Sequence, residues 1–222
     1  SFFQLPFTPF VPTIEGEHNL MSKIKMTSMR RKVIQELELL VIDEISMVRA
    51  DLLDEIDTVL RHIRYRKNLP FGGVQVIFIG DLYQLPPVVT PDVQETLAPY
   101  YEGFFFFNSK VIQQQPPTYI EFDTIFRQED THFIKLLNEV RLNQLSNESF
   151  ELLQQRYNPD YKINKEDNSI LLTTHNAKAE RINDEELAKI KAYTHTFKAE
   201  ISGEFPETNY PNEPTLTLKD GA

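Results

Sequence analysis

Leu37-Glu38-Leu39-Leu40-Val41-Ile42-Asp43-Glu44 and, further along, Gly72-Gly73-Val74-Gln75-Val76-Ile77-Phe78-Ile79-Gly80-Asp81 frame the part of the chain that organises the rest. The first stretch is apolar at all but one position over 37–42, which suits a buried strand of a parallel sheet. Between the two, Leu52, Leu53, Ile56, Val59, Leu60 and Ile63 recur at helical spacing. Residues 51–66 therefore read as an amphipathic helix, with Asp51 placed to cap it. Pro70, Gly72 and Gly73 break the chain, and 74–79 is a second buried strand ended by Gly80. Strand, helix and strand of these lengths form a βαβ unit, whose crossover is right-handed in nearly all cases. Its strands run parallel, so Asp43-Glu44 and Gly80-Asp81 leave the sheet at one carboxyl edge. Open α/β sheets bind ligands at that edge.

Working outward, 104–107 and 119–122 are apolar and are expected to add strands. After Arg127 the character changes. Phe133, Leu136, Leu137 and Val140 mark a helix, and Phe150, Leu152 and Leu153 a second one. Residues 169–173 read as a strand and 177–191 as a helix. The tail from Tyr193 is strand-like around an acidic, Pro-containing loop. A domain boundary is placed near Arg127, dividing the chain into 1–127 and 128–222. No internal repeat or low-complexity segment is visible.

The 222 residues suit one large domain or two modest ones, and 41% apolar with 25% charged residues is an ordinary globular balance. No apolar run approaches the roughly 18 residues a membrane-spanning helix needs. The N-terminus carries no basic region followed by an apolar stretch and cleavage site, so secretion is not expected. With no cysteine, disulfides and thiolate metal sites are excluded. The formal charge is −10, whereas a protein holding a polyanion mainly by Coulomb attraction is more often basic. Basic residues are local instead, at Lys23, Lys25, Arg30, Arg31 and Lys32, then Arg61, Arg64, Arg66 and Lys67. A locally positive groove on an acidic body remains compatible with a polyanionic partner.

Val41-Ile42-Asp43-Glu44 has the form of a Walker B element, in which an apolar strand delivers two carboxylates to its tip. One such carboxylate holds Mg²⁺ through water and the other orients or activates the attacking water. A buried strand ending in two solvated acids has the same pattern. Gly80-Asp81-Leu82-Tyr83-Gln84-Leu85-Pro86-Pro87-Val88 is more specific. A glutamine four residues beyond a strand-ending glycine can reach a γ-phosphate or its water, being neutral and carrying both donor and acceptor atoms. Two prolines stiffen the loop that carries it.

Residues 41–47 and 72–88, Phe126-Arg127-Gln128 and the opening 1–6 together resemble the Pif-type, RecD-related branch of superfamily-one DNA helicases. Residues 133–141, 171–183 and 216–222 also resemble segments of that branch, in the expected order. The resemblance implies an α/β fold: a RecA-like P-loop NTPase parallel sheet flanked by helices, here incomplete, plus part of a second RecA-like domain. It implies ATP as substrate, with Mg²⁺ bound through water by Asp43, water activation by Glu44 and γ-phosphate sensing by Gln84. Arg127 resembles the family arginine that reaches the γ-phosphate from the domain junction; otherwise it would be a surface ion-pair partner of Glu129 or Asp130. Single-stranded DNA and duplex junctions are the implied partners, in repair, recombination or telomere maintenance. The implied compartment is the bacterial cytoplasm and nucleoid, or the nucleus or mitochondrion of a eukaryote.

Ser1-Phe2-Phe3 resembles the family's early DNA-contacting segment, where a ring stacks on a base. A Phe pair anchoring a chain end in the core explains Phe2 and Phe3 equally. Pro86 lies on the glutamine loop, which in the family also faces DNA. Thr174 and His175 are candidate phosphate contacts, although hydroxyls before a helix are ordinary N-caps. Residues 104–107 read as core packing, and 61–67 as a solvated helix face.

One departure from the family matters. A P-loop needs Gly-x-x-x-x-Gly-Lys-Ser/Thr so that backbone amides and a lysine hold the phosphates, and none of the seven glycines here precedes a lysine. Both ends of the chain look cut, and the chain by itself is expected to lack turnover. The competing expectations are a RecD-type nuclease subunit, a relaxase-linked helicase, and a non-catalytic binding module with ATPase-like strands.

Overall fold

The computed structural model describes residues 2–6, 8–161, 170–201, 210 and 213–222. It contains two compact units, Ser1–Leu152 and Leu153–Ala222.

In the first unit, α1 (Ile14–Lys23) and α2 (Ser28–Glu36) lead into the βαβ segment. Each helix starts at a threonine: Thr13 Oγ1 accepts from the Gly16 N–H and Thr27 Oγ1 from the Arg30 N–H. Each cap satisfies an N–H that has no partner within its helix. Strands β1 (Leu39–Ile42) and β2 (Gln75–Phe78) pair in parallel, with Leu39 opposite Gln75 and Ile42 opposite Phe78. Helix α3 (Ala50–Ile63) makes the crossover. The strand, helix and strand expected from the pattern are all present, differing by at most three residues at their ends.

Period-two alternation sends Leu40, Ile42, Val76 and Phe78 inward, against a core that includes Ile34, Leu53, Val59, Leu60 and Ile63. Burying each large aliphatic side chain contributes about 1.5–3 kcal/mol. The opposite face was expected to be buried as well. Instead Leu39, Val41 and Ile77 are 46%, 49% and 41% exposed. Among the described residues the sheet has only these two strands, and no described layer covers that face.

Helix α3 also buries acids, which its apolar periodicity hides. Asp54 accepts from the Tyr101 hydroxyl and from the Lys110 and Val111 N–H groups, each at 2.9 Å. It thereby holds the start of α5 (Lys110–Gln114). Asp57 accepts from Arg61 Nε at 2.7 Å and from the Phe71 N–H. Asp51 does not cap α3, because Arg49 is the N-cap residue and Asp51 lies one position inside the helix. It is 1% exposed and accepts from the Phe10 N–H at 3.2 Å and from Arg49 Nε at 2.8 Å. Glu55 is 2% exposed, and its Oε1 has no hydrogen-bond partner. Burial, reinforced by the charge of Asp51 and opposed by that of Arg49, pushes its pKa up from 4.5 to about 8.

Residues 61–67 are not simply a solvated face. Arg64 Nη1 donates to the Ile34, Gln35 and Leu37 carbonyls at 2.9, 2.8 and 2.7 Å, and its Nε to the Gly72 carbonyl at 3.0 Å. It ties the end of α2 and the Pro70–Gly73 turn to the end of α3. Gly72 sits at φ +60°, and a Cβ there would lie 2.7 Å from the Leu60 carbonyl oxygen. Only glycine combines that dihedral with so close an approach.

Beyond β2 the unit adds α4 (Pro91–Leu97), α5, α6 (Thr131–Arg141) and the start of α7 (Asn147–Arg156). Residues 104–107 do not form a strand. Phe105 makes a single antiparallel bridge to Arg49, and Phe106–Asn108 is a short 3-10 turn. The core-packing reading holds for part of the run: Phe106 and Phe104 pack against separate core clusters, while Phe107 is 43% exposed. Residues 119–122 have no regular structure, and Tyr119, Ile120 and Phe122 are exposed. Apolar runs without a neighbouring strand to pair with cannot satisfy a ladder.

In the second unit, α8 (Asn176–Lys189) is followed by β3 (Thr194–Lys198) and β4 (Thr215–Lys219), an antiparallel pair with Thr196 opposite Thr217. The strand-like tail is thus a two-stranded ladder. Of the strand expected at 169–173, the described residues 170–173 show none, and 169 lies outside the described residues.

Candidate functional site

The two strands continue to hold each other beyond the ladder. The Ile79 N–H donates to the Ile42 carbonyl and the Ile45 N–H to the Ile79 carbonyl, both at 2.9 Å. Asp43-Glu44 and Gly80-Asp81 therefore emerge side by side at the carboxyl edge. Gly80 makes the approach feasible, since a Cβ there would lie 2.9 Å from the Ile45 nitrogen and 3.0 Å from Ile45 Cγ2. Glu44 sits in the left-handed region, at φ 51° and ψ 43°. That conformation costs a non-glycine residue on the order of 1–2 kcal/mol. It persists because Ile42 and Ile45, on either side, are both bonded to β2's end. Its effect is to turn the chain sharply, so that both carboxylates stand exposed at the tip. Asp43 Oδ1 also accepts from the Glu44 N–H at 2.9 Å.

Gln84 is exposed on the neighbouring loop, and that loop is built around Asp81. Asp81 Oδ1 accepts from the Tyr83 N–H, Asp81 Oδ2 from Gln84 Nε2 and the Asp81 carbonyl from the Gln84 N–H, each at 3.0 Å. Arg141, the last residue of α6, reaches Asp81 Oδ2 at 2.8 Å, and its guanidinium lies 4.8 Å over the Tyr83 ring. Partial desolvation works to raise the Asp81 pKa. The hydrogen bonds from Gln84 and Tyr83 and the charge of Arg141 outweigh it and hold the carboxyl below its usual range.

Sequence reasoning named neither Asp81 nor Arg141 as a site residue. Asp81 was visible in the Gly80-Asp81 pair, but Arg141 lies 60 residues away, and no spacing rule connects them.

The remaining candidates fall less close together. Arg127 is exposed and makes no hydrogen bond or ion pair with any described residue, so it is not paired with Glu129 or Asp130. Asp130 instead caps α6, accepting from the His132 and Phe133 N–H groups. No hydrogen bond or ion pair joins Arg127 to Asp43, Glu44 or Gln84. Pro86 is exposed on the glutamine loop. Phe3 is 8% exposed and belongs to the core, whereas Phe2 is 42% exposed and meets it edge to face at 4.9 Å. As a base-stacking ring Phe3 is therefore corrected to a core anchor, because its faces are covered; Phe2 keeps an open one.

In the second unit, Thr174 and His175 are exposed, with Thr174 Oγ1 2.8 Å from His175 Nδ1. The expected hydroxyl cap is absent: His175 is the N-cap residue of α8 and makes no side-chain capping bond.

Two clefts of the first unit, of about 310 and 480 Å³, are lined by none of Asp43, Glu44 and Gln84. The carboxyl edge is an open surface. Among the described residues no group of three or more His, Asp or Glu side chains is arranged to hold a metal ion. Paired exposed carboxylates suit a cation that keeps most of its water, as Mg²⁺ does.

A parallel βαβ unit presenting two carboxylates and a glutamine loop at one edge has the arrangement of a RecA-like α/β core. Comparison with known proteins narrows the class. The family model for PIF1-like helicases matches residues 7–151. ATP-dependent DNA helicase PIF1 of Saccharomyces cerevisiae is 34% identical over 184 residues, covering 81% of this chain and 20% of that protein. The human PIF1 helicase is 37% identical over 161 residues, covering 72% and 23% respectively. Bacteroides Pif1 bound to single-stranded DNA superposes with a TM-score of 0.83 at 37% identity, over 98% of this chain and 49% of that one. Pif1 from Bacteroides in complex with ADP-AlF3 and single-stranded DNA gives 0.81 at 35% identity, with the same coverage. The chain belongs to the PIF1-like helicase family, and its fold is a partial RecA-like α/β arrangement. It spans between 14% and 24% of the length of the curated relatives compared. No helix among the described residues is long and apolar enough to cross a membrane.

Proposed function

We propose that this chain is the magnesium and sensor side of the ATP site in a DNA helicase that couples ATP hydrolysis to translocation on single-stranded DNA and duplex unwinding. The observation that carries this reading is the bond from the Ile45 N–H to the Ile79 carbonyl, which keeps Glu44 and the Gln84 loop on adjacent strand ends. Relatives named as ATP-dependent DNA helicases, solved relatives holding single-stranded DNA or ADP-AlF3, and a solved Pif1 described as unwinding DNA at forked duplexes support it. In this reading Asp43 would hold Mg²⁺ through water, and the bound ion would supply charge compensation for the phosphates. Glu44 accepts a proton from the attacking water, Gln84 helps orient that water, and Arg127 approaches the developing charge on the γ-phosphoryl group.

Residues 1–127 then belong to the first RecA-like domain and 128–222 begin the second, with Arg127 at the junction. Phe2 and Pro86 in the first part, and Thr174 and His175 in the second, are the DNA-facing candidates. The work falls where DNA is maintained: the bacterial nucleoid, or the nucleus or mitochondrion, in repair, recombination or telomere maintenance.

DNA-stimulated ATP hydrolysis by a full-length helicase carrying this chain provides the test. Glu44→Gln is expected to abolish most turnover while ATP binding persists, and Arg127→Ala to lower it by about 10³–10⁵. Arg127→Lys is expected to remain low, because a single ammonium cannot reproduce the planar guanidinium fork. Near-normal turnover in Glu44→Gln with the fold intact would overturn the reading.

A further inference from the structure

Gln84 is held by its neighbours. An ionised carboxylate only accepts hydrogen bonds, so the Gln84 amide must turn its NH₂ group toward Asp81, as the 3.0 Å contact from Nε2 to Oδ2 shows. Its carbonyl Oε1 then faces away from Asp81. Asp81 is itself fixed from two directions. The Tyr83 N–H bonds the other carboxylate oxygen at 3.0 Å, and Arg141 Nη1 shares Oδ2 with Gln84 at 2.8 Å. Arg141 is steadied in turn over the Tyr83 ring, where a cation and an aromatic face attract. The Asp81 side chain is only 18% exposed, so water competes weakly for these bonds.

We propose that Asp81 is a positioning residue that sets the Gln84 amide with its oxygen outward, and that Arg141 locks Asp81, so that the end of α6 governs how Gln84 is presented. This rests on the ATPase reading above. An attacking water needs acceptors for its hydrogens and a free lone pair for phosphorus. An outward Oε1 accepts one hydrogen while Glu44 accepts the other as a proton, as the water oxygen bonds to phosphorus and the bond from phosphorus to the β–γ bridging oxygen breaks to release ADP. An outward NH₂ would instead donate to the lone pair and oppose attack. The 60-residue separation of Asp81 and Arg141 makes the lock a tertiary contact, sensitive to any displacement of α6.

The experiment measures single-stranded-DNA-stimulated ATP hydrolysis in a full-length helicase carrying this chain. Charge-assisted bonds of this kind are worth about tenfold to a hundredfold in rate. Asp81→Asn is therefore expected to lower kcat by about that factor with KM for ATP changed less than about twofold. Arg141→Ala, which leaves the loop's own bonds in place, is expected to lower kcat in the same way, and Arg141→Lys to recover part of it. The deciding measurement is a double-mutant cycle. In a Gln84→Ala background, Asp81→Asn or Arg141→Ala is expected to add less than about twofold, because both act through the side chain already removed.

Losses that multiply with Gln84→Ala, or normal kcat in both single variants, would overturn the proposal. If Asp81→Asn fails to fold, the cycle between Arg141 and Gln84 decides alone. Should Glu44→Gln and Gln84→Ala both hydrolyse ATP normally, the underlying ATPase reading fails. Should they be impaired while Asp81→Asn and Arg141→Ala are silent, only the positioning role fails.

Discussion

The stability of the first unit is expected to depend on pH through Glu55. Its carboxyl is buried on α3, with Oε1 unpartnered, and its pKa is pushed from 4.5 up to about 8. In the folded chain Glu55 is therefore protonated over a range where the unfolded chain ionises. Folding takes up a proton there, so the contribution of Glu55 to stability is greatest below pH 4.5 and is lost as pH rises toward 8, levelling off beyond it. Glu55→Gln removes this titration while keeping the shape. It also carries a pH-independent cost or gain from its own buried amide, on the order of 1–3 kcal/mol.

The informative quantity is thus the wild-type-minus-variant difference as a function of pH, in which the titrations of Asp54 and Asp57 cancel. Between pH 5 and pH 7 that difference is expected to move by about 2–3 kcal/mol against the wild type. Urea melts followed by circular dichroism at several pH values supply it, with the slope against denaturant checked for constancy. A difference that stays flat from pH 5 to pH 8 would refute the argument, because it would mean that Glu55 titrates alike in both states.

Two further substitutions probe the frame around the site. Asp54→Asn replaces one of two acceptor oxygens with a donor facing the Lys110 or Val111 N–H or the Tyr101 hydroxyl, and is expected to cost about 2–4 kcal/mol in denaturant melts. Gly80→Ala puts a Cβ 2.9 Å from the Ile45 nitrogen. It is expected to lose about 1–3 kcal/mol of stability and, in the full-length helicase, to lower DNA-stimulated turnover by parting the two strand ends; turnover equal to wild type would show that their close approach is dispensable.

The sequence by itself determined the parallel βαβ unit, because period-two and period-3.6 patterns between Leu37 and Ile79 admit few other packings. It also determined that Asp43-Glu44 and the Gln84 loop share an edge, since parallel strands end on the same side. Hydrophobic periodicity is a local property and is legible in one dimension. What only the tertiary structure decided are the contacts whose partners lie far apart in the chain. Asp54 reaches Lys110 and Val111, Arg64 the end of α2, and Asp81 meets Arg141. No periodicity encodes such pairs, because a buried polar group is specified by whichever backbone or charge the fold happens to bring to it. The same limit explains the runs at 104–107 and 119–122. Their composition favours strands, but a strand exists only where a neighbour offers its ladder, and neighbours are a property of the folded chain.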